Sequence, residues 1–100
     1  MHVIVESRLA RIELAEIIEW YDLQSPGLGQ EFLQQYDQDV RLIAESPERW
    51  PLFSKSVRRY VMRRFPHLIF YEIEADLVRV LGIIHGKRDS GMMDRRFKSQ

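Results

Sequence analysis

One hundred residues make one ordinary domain, with room for one hydrophobic core and not two. A composition 45% hydrophobic and 30% charged excludes a disordered chain, and the lack of cysteine excludes disulfides, thiolate metal sites and a cysteine nucleophile. The formal net charge is zero, yet residues 1–50 carry four Lys/Arg against ten Asp/Glu and residues 51–100 carry eleven against five. Halves of opposite sign can dock on each other and still leave a basic face for an anionic partner.

The opening "MHVIVESRLARIEL" has neither the basic start nor the long apolar stretch of a signal peptide, and no apolar run elsewhere approaches a membrane span. The expectation is a cytoplasmic protein with no membrane partner. Without repeats, low-complexity segments or a linker, residues 1–100 read as a single domain.

"HVIVE" is a short β-branched alternation and predicts a strand over residues 2–6. Ser7 suits a helix N-cap, and residues 8–24 follow as a helix whose Ala10, Leu14, Ile17, Ile18 and Tyr21 share one face. Leu9, Ile12 and Trp20 form a second stripe among Glu13, Glu16 and Glu19. That stripe predicts a contact with a second helix or another chain. "SPGLG" marks a turn and a new helix, with Ser25 as its cap and Pro26 at its first position. Phe32, Leu33, Tyr36, Val40 and Ile43 line one face of this helix, which stops before Pro47. So short a turn predicts an antiparallel helical hairpin.

After Pro51 the period changes. "SVRRYVMRRF" (56–65), "HLIFYEIE" (67–74) and "LVRVLGIIH" (77–85) read as strands, and the tail "SGMMDRRFKSQ" as a short helix or a frayed end. The predicted order is β-α-α-β-β-β, an α+β fold in which a small, mostly antiparallel sheet packs on the N-terminal helical hairpin.

A loop at Ala75-Asp76 sets Ile73 opposite Val78, Tyr71 opposite Val80 and Ile69 opposite Gly82. Alternation then puts Ile69, Tyr71, Ile73, Val78, Val80 and Ile84 on the helix-covered face. The other face carries Leu68, Phe70, Leu81 and Ile83, with Glu72 opposite Arg79. Four such side chains represent several kcal/mol of burial at about 25 cal/mol per Å². Met92, Met93 and Phe97 could cover them; the preferred reading is a partner segment lying across this face.

Arg58, Arg59, Arg63 and Arg64 crowd the strand before this hairpin, and "HGKRD" (85–89) follows it. Arginines at this density grip phosphates or a carboxylate-rich peptide. His85 with Arg88 and Arg63 or Arg64 supplies the groups for phosphodiester cleavage, imidazole as acid or base and guanidinium on the phosphate. The structural alternative pairs Arg88 with Asp89 or with a carboxylate of the N-terminal half. His2, His67 and His85 lack metal-ligand spacing, and the common nucleotide and hydrolase motifs are missing, so no metal and no cofactor are expected.

At these residues the chain resembles the RelE/ParE toxin superfamily of type II toxin–antitoxin modules, many of them called plasmid stabilisation proteins. The resemblance lies in "R-x-Y-x-M-R-R-F-P-H-L-I-F-Y-E-I … L-V-R-V-L-G-I-I-H-G-K-R-D", in "A-x-x-E-I-I-E-W-Y" and in "P-G-L-G-Q-E-F". It implies the same fold, a cognate antitoxin that wraps the toxin, and contact with operator DNA only through that antitoxin. The antitoxin would then occupy a groove of Leu68, Phe70, Leu81 and Ile83 rimmed by Arg58, Arg59 and Arg79.

RelE-like members cut ribosome-bound mRNA. Arg88 matches that branch's arginine after the last strand, whereas Leu68 stands where its strand arginine is expected and Asp94 near its C-terminal tyrosine. ParE-like members inhibit DNA gyrase by binding, and the "FPH…HGKRD" pattern leans to them. Three readings follow: a ParE-like toxin, an mRNA interferase using His85, Arg88 and Arg63 or Arg64, and an inactive relative that only binds antitoxin.

Overall fold

The computed structural model describes residues 1–87 and 90–98. Strand β1 (Val3–Glu6) leads into helices α1 (Arg8–Gln24) and α2 (Leu28–Glu45). A 3₁₀ turn (Pro47–Arg49) then leads to strands β2 (Leu52–Ser54), β3 (Val57–Val61), β4 (His67–Glu74) and β5 (Leu77–His85), and helix α3 (Ser90–Phe97) closes the chain. The sheet order is β1-β5-β4-β3-β2, with β1 parallel to β5 and every other pair antiparallel. The predicted α+β order is observed, with β2 as one short strand more.

Local chemistry accounts for the helical hairpin. The Ser7 hydroxyl caps α1 by accepting from the Ala10 N–H at 3.1 Å. Ser25 and Pro26 do not open α2 as the sequence suggested. Ser25 ends α1, its N–H bonding the Tyr21 carbonyl, and the cap of α2 is Gly27 at φ 88°, a left-handed conformation suited to glycine. Gly29 lets the helices touch, because a Cβ there would lie 2.5 Å from the Ile18 carbonyl oxygen; its N–H also bonds the Asp22 carboxylate at 2.8 Å.

The main core lies between this hairpin and one face of the sheet. Ala10, Phe32, Tyr36, Val40 and Ile43 meet Tyr60, Ile69, Tyr71, Val78 and Val80, with Leu14, Ile17, Ile18 and Tyr21 packed at the margin. The predicted inner stripes of both helices are the observed ones. Buried hydroxyls find partners, Tyr36 on Glu6 at 3.0 Å and Tyr71 on the Pro47 carbonyl at 2.5 Å.

Candidate functional site

The β4–β5 hairpin decides what the surface presents. Near the turn its register is the expected one, with Ile73 opposite Val78, Glu72 opposite Arg79 and Tyr71 opposite Val80. Between Phe70 and Tyr71 the register then shifts by one residue, so that Phe70 pairs with Gly82, Ile69 with Ile83 and Leu68 with Ile84. Leu81 is the extra residue of a β-bulge, and a bulge reverses the facing of everything beyond it. Ile83 therefore belongs to the helix-covered core and Ile84 to the opposite face, the reverse of the sequence reading.

The second face is not left bare either. Phe70, Ile84 and Val57 are buried beneath Met93 and Phe97 of α3, with Phe53, Leu68, Leu81 and Met92 around them. The Phe97 ring stacks on Phe70 at 4.3 Å between centroids, and Phe53 meets Phe70 edge-on at 5.1 Å. The preferred expectation of an uncovered face awaiting a partner is thus corrected, since the chain's own tail fills it. At its β3 margin Val61 is 65% exposed beside a half-buried Leu68.

Arg96 holds α3 in place. Its guanidinium donates to both oxygens of Glu13 on α1, at 2.6 and 3.2 Å, and to the Leu81 carbonyl at 2.6 Å. Glu13 in turn accepts the Ile83 N–H at 3.1 Å. Beyond Val80, the last residue that β1 pairs, β5 would present an open edge. This ion pair closes it. Sequence reasoning missed Glu13 and Arg96, which lie 83 positions apart with no local pattern to join them.

The predicted catalytic residues are distributed as follows. His85 stands opposite His67 across the hairpin, ring centroids 5.2 Å apart, and its Nδ1 accepts the Lys87 N–H at 3.0 Å. That bond places the neutral ring's proton on Nε2. His67 is buried edge-on against Tyr21 and Phe32. Arg64, in the β3–β4 loop at φ 67°, pairs with Glu31 at 3.0 Å and lies over Phe65. Arg63 donates its backbone N–H to Asp39 at 3.1 Å. Arg88 lies outside the described residues.

The proposed rim arginines divide. Arg58 turns to the helix side and donates to the Trp50 and Glu48 carbonyls at 2.6 and 3.1 Å. Arg59 is exposed and lies over Phe53 at 5.4 Å, joined there by Lys98 at 4.5 Å. Arg79 pairs with Glu74 at 3.3 Å near the hairpin turn. The loop that carries Arg63 and Arg64 is set by Asp39, a fully buried α2 carboxylate that also accepts from the Gln35 amide at 3.1 Å. Burial, together with the hydrogen bond and charge of Asp39, pushes the Tyr60 hydroxyl up to about 12. Among the described residues no group of three His, Cys, Asp or Glu could hold a metal ion.

Residues 4–90 match the family model for the ParE toxin of type II toxin–antitoxin systems, parDE. The chain belongs to the ParE toxin family. Among solved structures it is similar to one titled as the chromosomal ParDE toxin–antitoxin system of P. aeruginosa, with a TM-score of 0.75 at 18% identity over 85% of this chain and 96% of that one. No match is found among curated proteins. The ParE match ends at residue 90, where α3 begins, so the helix that covers the second face of this ParE domain lies almost wholly outside the matched span. No described helix is long and apolar enough to cross a membrane.

Proposed function

We propose that this ParE-family chain is a toxin that acts by binding and inhibiting a protein target such as DNA gyrase, without chemistry of its own, and that a cognate antitoxin neutralises it. The observation that carries the reading is the state of His85. Its Nδ1 is occupied by the Lys87 N–H, so the ring offers a donor at Nε2 and no free acceptor to take a proton from a ribose hydroxyl. Arg64, one of the arginines offered with Arg63 and Arg88 to hold a phosphate, is engaged with Glu31 on α2.

The antitoxin reads the open β3 margin of the second face. Val61 and Leu68 supply apolar surface there, and Arg59 and Lys98 supply positive charge for an acidic, apolar segment. Phe70 and Ile83 drop out of the groove the sequence suggested, because both are buried within the chain. A supercoiling assay beside a translated-mRNA assay tests the mode of action. The purified chain is expected to stop gyrase supercoiling and leave the message intact. Codon-specific cleavage that disappears in Arg88→Ala would overturn the proposal in favour of an mRNA interferase.

A further inference from the structure

The α1 helix turns a second apolar stripe outward. Leu9, Ile12, Trp20 and Leu23 are 49%, 45%, 57% and 77% exposed, and they fall within a narrow arc of one helical face. From Leu9 to Leu23 the stripe runs four turns, about 21 Å at 1.5 Å per residue. Glu16 sits at its centre and Glu19 at its margin. On one flank, beside Glu16 and Trp20, it opens into a pocket of about 550 Å³. Tyr21, His67 and His85 form aromatic walls of that pocket, and Ile17, Ile83 and Ile84 supply apolar ones.

The charge of the site selects its occupant. Glu13, which also lines the pocket, is already neutralised by Arg96, whereas Glu16 makes no ion pair among the described residues. A carboxylate beside a tryptophan face and an apolar floor suits a guanidinium or ammonium on a long aliphatic stem. An acidic segment would be repelled here. A symmetric pairing of two copies through this stripe would set Glu16 and Glu19 of one against those of the other.

We propose that the α1 stripe and its pocket form a docking surface for an amphipathic helix of about four turns, apolar on one face and carrying an arginine or lysine that enters the pocket beside Glu16 and Trp20. This surface has the opposite charge preference to the β3 margin and does not depend on the mode of action proposed above. It adds a second, separately addressable contact to the protein.

Synthetic 15-residue helical peptides test the surface against the full chain, by calorimetry and by Trp20 emission in a Trp50→Phe background. One peptide carries a leucine seam with a single arginine, and its twin has glutamate in place of the arginine. The arginine peptide is expected to bind at least tenfold more tightly and to shift the Trp20 emission to the blue. Glu16→Lys, an exposed change whose folding circular dichroism checks, should reverse the preference, and Trp20→Ala should abolish binding. Equal affinity for the two peptides, indifference to Glu16→Lys, or a concentration-dependent dimer that buries Trp20 without peptide would each overturn the proposal.

Discussion

Gly82→Ala offers a sharp probe of the α3 latch, because its sign depends on a residue from another element. A Cβ at position 82 would lie 2.6 Å from one terminal nitrogen of Arg96 and 3.0 Å from its Cζ. The guanidinium must retreat by close to an ångström, enough to break its 2.6 Å bond to the Leu81 carbonyl and disturb the pair with Glu13. A hydrogen bond to a charged group contributes about 1.5–3 kcal/mol, and this pair is mostly screened from solvent, with side chains 19% and 18% exposed. Replacing a strand glycine by alanine returns about 0.5–1 kcal/mol of backbone entropy. Gly82→Ala should therefore destabilise the native protein by about 1–2 kcal/mol, measured by urea unfolding. In an Arg96→Ala background the clash is gone, and the same change should stabilise by about 0.5 kcal/mol. An equal effect in both backgrounds would show that Arg96 does not span the bulge as described.

Three further expectations follow from the same packing. Phe70→Ala should cost about 3–5 kcal/mol in urea unfolding, because Phe70 is fully buried under Phe97; a change below about 1 kcal/mol would mean that α3 leaves this face open in solution. Asp39→Ala removes the acceptor of both the Arg63 N–H and the Gln35 amide, at a cost of about 2–4 kcal/mol, and should bring the Tyr60 ionisation seen by ultraviolet absorbance back towards 10. In alkali, burial holds both Tyr60 and Tyr71 protonated to about 12, whereas an unfolded chain loses these protons near 10. The unfolded state then binds fewer protons between those values, so stability should be complete below pH 10 and decline as pH rises through 12. Flat stability across that window would contradict the buried placement of these hydroxyls.

Where one periodicity ran undisturbed, the fold was legible. The inner faces of α1 and α2 follow from apolar residues three and four apart, and the hairpin turn at Ala75-Asp76 fixed the four pairs of its register from Glu74–Leu77 to Tyr71–Val80. The faces beyond Val80 were misread because strict alternation was carried through Leu81-Gly82. A glycine inside a strand pattern is itself the local sign of a bulge, and here it coincides with one. The cover of the second face was also present in the sequence, as Met93 and Phe97 one helical turn apart, but the choice between an internal and an external cover depended on Arg96 reaching Glu13. Asp39 carried no local signal, since its role exists only once α2 and the β3–β4 loop are neighbours.

The bulge and the ion pair meet on the same stretch of β5, just beyond the last residue that β1 pairs. By shifting the register the bulge turns Ile83 into the main core and Ile84 onto the second face, so each side of the hairpin gains an apolar anchor at its far end. Because β1 pairs nothing beyond Val80, the Leu81 carbonyl and the Ile83 N–H have no ladder partners on that edge. Glu13 and Arg96 satisfy both, one arriving from each layer. Removing either residue alone should therefore loosen both layers at once. Glu13→Ala strands the Ile83 N–H and the Arg96 charge, and about 3 kcal/mol should be lost. Amide exchange distinguishes this from a local effect. Protection should fall at Ile83 in β5 and across α3 together, and a loss confined to α3 would mean that the bulge stands without its carboxylate.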